Sequence, residues 1–422
     1  MKRLLGILAA AGLLSFVGCG GGSKSQAANA NTSTVLGKVA HRVFVSNQYA
    51  TFGTASGQIN IVDADKDVMA TSTPVLTTVG TYAANPIIIS LGGIPSYMTL
   101  TPDKKTTIVY DTQSSTLDFI DNANETLNAA LPLGDVSPSL AVQTDNQTAF
   151  AALRNSGQVA VLNITTPALT TNIAVPTAHT VVLSHNGKVL LVFADDSNIV
   201  YSIDTTSIDT TTTTSKTVPK QIKSATFDRP VTAIFSSDDS KAYILNCGAE
   251  CGGTTASVSV LDIASGNVTG NVPVSGATVG VMDSAGTLYV AGTQGNRAGK
   301  LDIVSTSNLT VSKSGIPISD GYHTVMSLAT NNRLFIGART CNNVTTGCLS
   351  IVNISAGTAV VDGPKGDVTG IQAITNRNVV YVAEGGEFRI YDTTKDAEIS
   401  SPTSGVPIDI VGKAIDVKAI DQ

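Results

Sequence analysis

The sequence predicts an all-β protein in which one four-stranded unit repeats around a ring, and three observations carry that prediction. The first is recurrence: a hairpin pattern like "NVVYVAEGGEFRIYD" at 378–392 returns at 43, 107, 149, 190, 242, 288 and 334. Aligned on one hydrophobic position, Phe44, Ile108, Phe150, Leu191, Tyr243, Tyr289, Phe335 and Tyr381 are spaced 64, 42, 41, 52, 46, 46 and 46 residues apart. That is the period of a four-stranded repeat. The second is composition. Of 422 residues, 42% are hydrophobic but only 14% charged and 5% aromatic, with 38 Gly and no Trp, a profile of short strands joined by polar turns. The third is a mismatch of ends. The first repeat opens at "HRVFVSN" without an apolar innermost strand, and the chain closes on an orphan strand pattern, "GKAIDVKAIDQ".

A four-stranded sheet cannot bury both its faces alone, and a radial array lets each sheet shield the next. The expected fold is therefore a β-propeller over residues 39–422, with eight blades favoured and seven the alternative if one repeat is misjudged. Pairing of the C-terminal strand with the N-terminal blade would close the ring and remove two sheet edges that otherwise invite aggregation.

Taken from the N-terminus, "MKRLLGILAAAGLLSFVGC" has Lys2 and Arg3, an apolar run of signal-peptide length, and Gly18 before Cys19. Its ending resembles the lipobox of bacterial lipoproteins, with Phe16 where that motif usually carries Leu. The resemblance implies a signal over 1–19 and lipid attachment at Cys19, an ordinary cleaved signal being the alternative. Residues 20–38 are rich in Gly, Ser, Ala and Asn and read as a flexible tether. The propeller would then sit in the bacterial cell envelope, with Gly20 compatible with the outer membrane.

Each repeat after the first begins with an apolar pair two residues apart, such as Met98 and Leu100 or Val181 and Leu183, which period two places on one face. The seventh unit departs, its aligned pair being Val325 and polar Ser327. A polar turn follows ("PDKK", "TDNQ", "SHNG", "SSDD"), then the anchor strand. A third strand closes on Asp or Asn at Asp63, Asp121, Asn163, Asp204, Asp262, Asn353 and Asp392, expected to cap turn amides. In the tail, Ile415 and Val417 are expected on one face. The long first interval contains "GTYAANPIIISLGG", and the "TTSIDTTTTTSKT" run at 205–217 reads as an exposed outer strand and loop.

With "LYVAG" at 288–292, "VYVAE" at 380–384 and "VFVSN" at 43–47, the chain resembles the YVTN-type β-propeller proteins. The resemblance implies the fold over nearly the whole mature chain; that family spans surface-layer, binding and uncharacterised exported proteins. Some of its members resemble lactonases, where His, Arg and Glu near the axis act together.

Candidate chemistry is sparse. Cys247, Cys251, Cys341 and Cys348 form two local pairs, expected as disulfides in an oxidising compartment, with free thiols and a metal site as the other readings. His179 and His323 both stand twelve residues before their anchors, which would make them equivalent in the fourth and seventh blades and place both at the channel mouth. For a lactonase-like hydrolase the candidates are His179 or His323 with Glu384 and Arg389; the bland reading of Glu384 is a solvated turn. Asp63, Asp65 and Asp67 have the alternate spacing that opens some calcium loops, but the glycine and later Glu of an EF-hand are missing. No Walker loop, GxSxG, HExxH or CxxCH occurs. The net charge of −6 supplies no basic stripe for nucleic acid. The expected role is a binding or scaffold module without a cofactor, tethered to the membrane by its lipid and facing an envelope or extracellular protein or glycan.

Overall fold

The computed structural model describes residues 39–421 except 52–53, 72–74, 77–81, 84–86, 296, 343–346, 400–407, 409 and 411. They belong to one compact unit, Asn31–Gln422. The expected signal at 1–19, with Cys19, and the tether at 20–38 lie outside the described residues.

Eight antiparallel sheets form a closed ring. Seven are built in chain order from the innermost strand outwards, over 95–132, 140–174, 178–223, 230–273, 279–318, 322–361 and 368–398. The first is composite. Arg42–Thr51 and Thr54–Asp63 form its hairpin, and the C-terminal Lys413–Ala419 pairs beside Arg42–Thr51 as the innermost strand. Successive innermost strands pack side by side around the axis, and Lys413–Ala419 sits between Val368–Ala373 and Pro95–Leu100. The expected eight-bladed ring, closed by strands from both ends of the chain, is the one observed.

Apolar side chains fill the interfaces between blades because each anchor strand turns alternate residues to its two neighbours. Tyr381 and Phe388 of blade 8 pack with Val43, Val62 and Val417 of blade 1. On its other side, Phe44 and Ile59 of blade 1 meet Val109 and Ile120 of blade 2. These side chains are 0% exposed, and each contributes about 2 kcal/mol by leaving water.

Turn chemistry follows the sequence pattern. Every predicted third-strand cap accepts a backbone N–H two or three residues on: Asp121 from Ala123 at 2.8 Å, Asn163 from Thr165 at 3.0 Å, Asp204 from Thr206 at 2.9 Å, Asp392 from Thr394 at 2.7 Å. Asp63, Asp262 and Asn353 do the same for Asp65, Ser265 and Ala356. Between the first two strands of each of the seven continuous blades a left-handed residue reverses the chain, such as Asn146 (φ 58°), Asp239 (φ 57°) or Gly187 (φ 72°).

The long first interval has a simple cause. The outer edge of blade 1 is split into Val68–Met69 and Ile88–Ser90, both paired to Thr54–Asp63, with an insertion between them. The threonine run of blade 4 crosses to blade 3, where Asn172 donates to the Thr213 carbonyl (3.0 Å) and accepts from Ser215 N–H (2.8 Å). It thus covers a neighbouring sheet edge rather than extending its own.

Two expectations are corrected by β-bulges. At the start of the innermost strand of blade 4, Ala178 pairs with Ala194 and Thr180 with Phe193, so His179 is the extra residue. In blade 7 His323 pairs with Ala338 and Val325 with Gly337, so the extra residue is Thr324. The turn between the first two strands of blade 7 is one residue shorter, which moves the register: anchor Phe335 faces Ser327, eight positions back, whereas Leu191 faces Val182, nine back. His179 and His323 are therefore not equivalent, and the polar Ser327 in the aligned pair has the same origin. In the tail, Ser46 pairs with Asp416 and Asn47 with Ala414, leaving Ile415 as the bulged residue. Ala414, Val417 and Ala419, not Ile415, enter the core.

On the rim carrying the capped turns, two arginines clamp the closure. Arg42, 5% exposed, donates Nε and Nη2 to the Asp421 carboxylate at 2.6 and 2.8 Å. Its Nη1 reaches Glu125 of blade 2 at 2.9 Å and the Asn122 carbonyl. Arg377 of blade 8 grips Asp67 of blade 1 in the same forked manner, at 2.6 and 2.8 Å.

Candidate functional site

The two rims differ in kind. One carries the short capped turns just described. On the other, innermost strands begin and second strands end. Both disulfides form there, Cys247–Cys251 after the second strand of blade 5 and Cys341–Cys348 after that of blade 7, with Cα separations of 5.6 and 5.7 Å. The two local pairs are disulfides, as expected, and they fit an oxidising, extracytoplasmic setting.

The first disulfide encloses a single turn of 3-10 helix, Gly248–Cys251, which carries Glu250. From there Glu250 reaches across to blade 6, where its Oε2 accepts the Thr293 N–H at 2.7 Å. Partial burial pushes the Glu250 carboxyl up to about 6. Thr293 continues the link into blade 7. Its hydroxyl donates to the Gly321 carbonyl and lies 3.3 Å from His323 Nδ1. Gly321 has φ 96°, and a Cβ there would meet the Arg339 carbonyl oxygen at 2.5 Å and Cys341 Sγ at 2.8 Å. A chain of contacts thus runs from one disulfide-braced loop to the other across three blades.

Next to Gly321, Tyr322 opens the innermost strand of blade 7 and is 42% exposed. Burial raises its phenol, and the charges of Glu250 and Asp195 raise it further. Asp195 belongs to blade 4, where it is paired with Arg154 of blade 3 at 2.5 Å. It also acts on His179, whose imidazole is lowered by burial, supported upward by Asp195 and lowered again by Arg154. His179 is half-buried, with Nδ1 3.1 Å from the Thr180 hydroxyl. On this rim Tyr322 thus feels the charges of Glu250 and Asp195, and His179 those of Asp195 and Arg154, so that Asp195 is common to both.

The other residues singled out from the sequence lie elsewhere. His323 is 0% exposed, packed so closely on Gly299 that a Cβ there would stand 3.0 Å from Cε1, and burial depresses its imidazole to about 4. Glu384 and Arg389 do come together, but between blades 7 and 8. Glu384 is 0% exposed rather than solvated; it accepts the Tyr391 hydroxyl at 2.6 Å and lies 3.7 Å from Arg389 Nε. Burial pushes Glu384 up to about 7. Around it, Lys365 bonds Asp362 and Glu398, both at 2.6 Å, and stands 5.2 Å from the centre of the Tyr391 ring. Arg389 donates to Glu398 at 3.0 Å. Among the described residues no hydrogen bond or ion pair joins either histidine to Glu384 or Arg389. Asp63, Asp65 and Asp67 diverge onto three separate partners, Lys66, His41 and Arg377. No group of three or more metal-binding side chains occurs among the described residues.

Two features escaped the sequence reading. Glu250 was visible as the one charged residue between the cysteines of "CGAEC", and Tyr322 as the neighbour of His323, but nothing in the sequence joins blades 4, 5 and 7. The second is a position three residues before the third-strand terminus that is polar in most blades, blade 3 with Ala160 being an exception. Asp118 there accepts Gly92 N–H (3.0 Å), Asp302 accepts Ser275 N–H (2.6 Å) and the Ser350 hydroxyl accepts Ser319 N–H (2.8 Å). Each pins the crossover entering its own blade. Arg389 holds the same repeat position, so the scaffold alone accounts for a polar residue at that point.

No protein-family model and no curated protein matches the sequence. Solved structures do match in fold. Dihydro-heme d1 dehydrogenase NirN in complex with DHE aligns at a TM-score of 0.67 with 14% identity, covering 92% of this chain and 77% of that one. Hydrazine synthase of Kuenenia stuttgartiensis aligns at 0.52 with 17% identity, covering 74% of this chain and 96% of that one. The β-propeller domain of Cps50 (Swd1) from Myceliophteria thermophila aligns at 0.52 with 11% identity, covering 71% of this chain and 96% of that one. At these identities the likeness is one of fold.

Proposed function

We propose that the chain is an extracytoplasmic β-propeller, lipid-anchored through Cys19, that binds an envelope or extracellular protein or glycan at the disulfide-braced rim. The observation that carries this reading is the convergence at one channel mouth of Tyr322, Glu250, Asp195 and His179 from three blades. A rigid ring that carries its two covalently braced loops and an exposed aromatic side chain on one rim has the form of a recognition surface. That a propeller of similar fold is described in complex with DHE supports binding, and gives no reason to carry that compound over. Both disulfides support export, and the leader ending at Cys19 supports anchoring.

Two measurements test the reading. The chain and its Cys19→Ala variant are expressed with radiolabelled palmitate; label lost with the cysteine is expected, and equal labelling refutes the anchor. For binding, the soluble ring is compared with Tyr322→Ala at the mouth and Lys105→Ala on the opposite rim as bait for solubilised envelope. A bound species kept by Lys105→Ala and lost by Tyr322→Ala is expected. Capture that ignores Tyr322 places recognition elsewhere.

A further inference from the structure

Blade 3 lacks a device that other blades share. In blades 2, 6 and 7 the side chain three residues before the third-strand terminus accepts an N–H of the incoming crossover, that of Gly92, Ser275 or Ser319. Blade 3 carries Ala160 at this place, and aligning "SLGG", "PVSG" and "PISD" with its own "PLGD" makes Gly134 the residue left without that acceptor. The Gly134 N–H forms no hydrogen bond among the described residues, and a Cβ on Gly134 would meet nothing within 4 Å. A cavity of about 170 Å³ occupies the gap, between the crossover from blade 2 and the sheet of blade 3. Leu133, Leu153, Ala160 and Leu169 give it an apolar lining. Asn172 lines it as well; it is the cross-strand partner of Ala160, and its amide oxygen is buried without a hydrogen-bond partner. The threonine run of blade 4 fixes this part of the strand from outside, Thr171 Oγ1 donating to the Thr212 carbonyl at 2.7 Å. Gly134 and Ser156 on the border are exposed, so the cavity is open to solvent.

An apolar space of this size admits a molecule as large as benzene, which an empty cavity of about 150 Å³ already binds. A buried acceptor without a donor is costly, and here a crossover N–H lacks its usual acceptor beside it. A hydroxyl answers both, because it donates and accepts. A bare hydrocarbon would leave both groups unpaired. Charge has no counterpart in the cavity. Asp135 is the one titratable side chain of the lining, and its carboxylate already holds the N–H groups of Val136, Asn155 and Ser156 at 2.6, 3.2 and 2.6 Å. An anion would meet Asp135 with no cation in the lining, and an ammonium would compete with three amides. We infer that the cavity between blades 2 and 3 binds a small neutral alcohol with a compact aromatic or cyclic body, its oxygen standing in for the missing third-strand side chain between Gly134 and Asn172. The site does not depend on the disulfide-braced rim being a binding surface.

The test titrates the disulfide-intact ring, with its glycine amides isotope-labelled for NMR, with benzyl alcohol, toluene and benzylamine at pH 7. Benzyl alcohol is expected to bind and to shift the Gly134 amide resonance. Toluene, which fills the same space without the hydroxyl, and the benzylammonium cation should each bind about fivefold or more weakly. Asn172→Leu keeps the side-chain volume but removes the acceptor, and should weaken benzyl alcohol about fivefold. Ala160→Asp installs the side chain that blades 2 and 6 carry at this position and should weaken it about tenfold or more by filling the gap. Lys105→Ala, remote from the cavity, is the control and should change nothing. No binding of benzyl alcohol, equal binding of toluene or benzylammonium, or binding that leaves the Gly134 resonance unmoved overturns the inference. So does binding that survives both Asn172→Leu and Ala160→Asp. Unchanged near-ultraviolet circular dichroism is required of both variants; if Ala160→Asp does not meet it, Asn172→Leu and the Gly134 resonance decide the matter, and if neither variant meets it, the three probes and that resonance in the unaltered ring decide it.

Discussion

Replacing Glu384 by Gln should make the protein more stable in alkaline solution relative to its behaviour in acid. Glu384 is completely buried, with a hydrogen bond from Tyr391 and Arg389 Nε 3.7 Å away, yet burial outweighs both and raises it from an ordinary 4.5 to about 7. A raised carboxyl means that the folded state holds its proton more tightly than the unfolded chain. Folding is then unpenalised below the unfolded value, loses stability as pH climbs from about 4.5 to about 7, and stays penalised above. A gap of two to three pH units corresponds to about 3 kcal/mol at pH 8, of which about 1 kcal/mol is already present at pH 5. Gln cannot ionise and keeps an oxygen for Tyr391, but it adds an amide N–H₂ with no evident acceptor, at a cost of about 1–3 kcal/mol that does not vary with pH. The informative quantity is therefore a difference. Urea unfolding of both proteins at pH 5 and pH 8 should show the variant gaining about 2 kcal/mol relative to wild type between the two conditions. An effect equal at both pH values within about 0.5 kcal/mol would mean that Glu384 titrates normally, and the account of the blade 7 to 8 cluster would be wrong.

Further expectations follow from other parts of the ring. Arg42→Ala strips Asp421 and Glu125 of a nearly buried cation and should cost about 3 kcal/mol, read as faster amide exchange confined first to 413–419. His323 has the opposite pH signature to Glu384. Its imidazole is depressed to about 4, so its contribution is complete above its unfolded value near 6.5 and is lost as pH falls towards 4, and His323→Gln should flatten that part of the stability profile. The tail bulge separates two neighbours: Val417→Ala should cost about 2 kcal/mol by opening the blade 8 to 1 core, whereas Ile415→Ala, outside that core, should cost much less in the same melt.

How much of this was legible in the sequence depended on whether the signal was periodic. The ring, its eight blades and the returning C-terminal strand follow from repeated alternation, because burying one face of each of many equivalent strands leaves a repeated trace. Asp121, Asn163 and their counterparts were readable as caps because an Asx turn is made within three residues. What was lost depends on local insertions or on distance. A fixed twelve-residue offset made His179 and His323 look equivalent, and one residue fewer in the turn of blade 7 was enough to bury one histidine and leave the other at the mouth. The bulge at Ile415 moved a predicted core residue out in the same way. Arg42 and Asp421 are 379 residues apart, and neither is unusual in its own neighbourhood. The mouth is harder still, since Glu250, Tyr322 and Asp195 come from separate blades and only ring geometry joins them. The polar third-strand position was present in "LDFID", "LSIVN" and "FRIYD", but it reads as noise in an apolar strand until the crossover it pins is seen.

Ring closure by Lys413–Ala419 is open to one direct test, because Val45 and Val417 are cross-strand partners there. Val45→Cys with Val417→Cys, oxidised and mapped by mass spectrometry, should yield a bond between those two sites within a single chain, with Cys247–Cys251 and Cys341–Cys348 intact. A protein in which the new cysteines stay reduced, or join only between chains, would contradict closure.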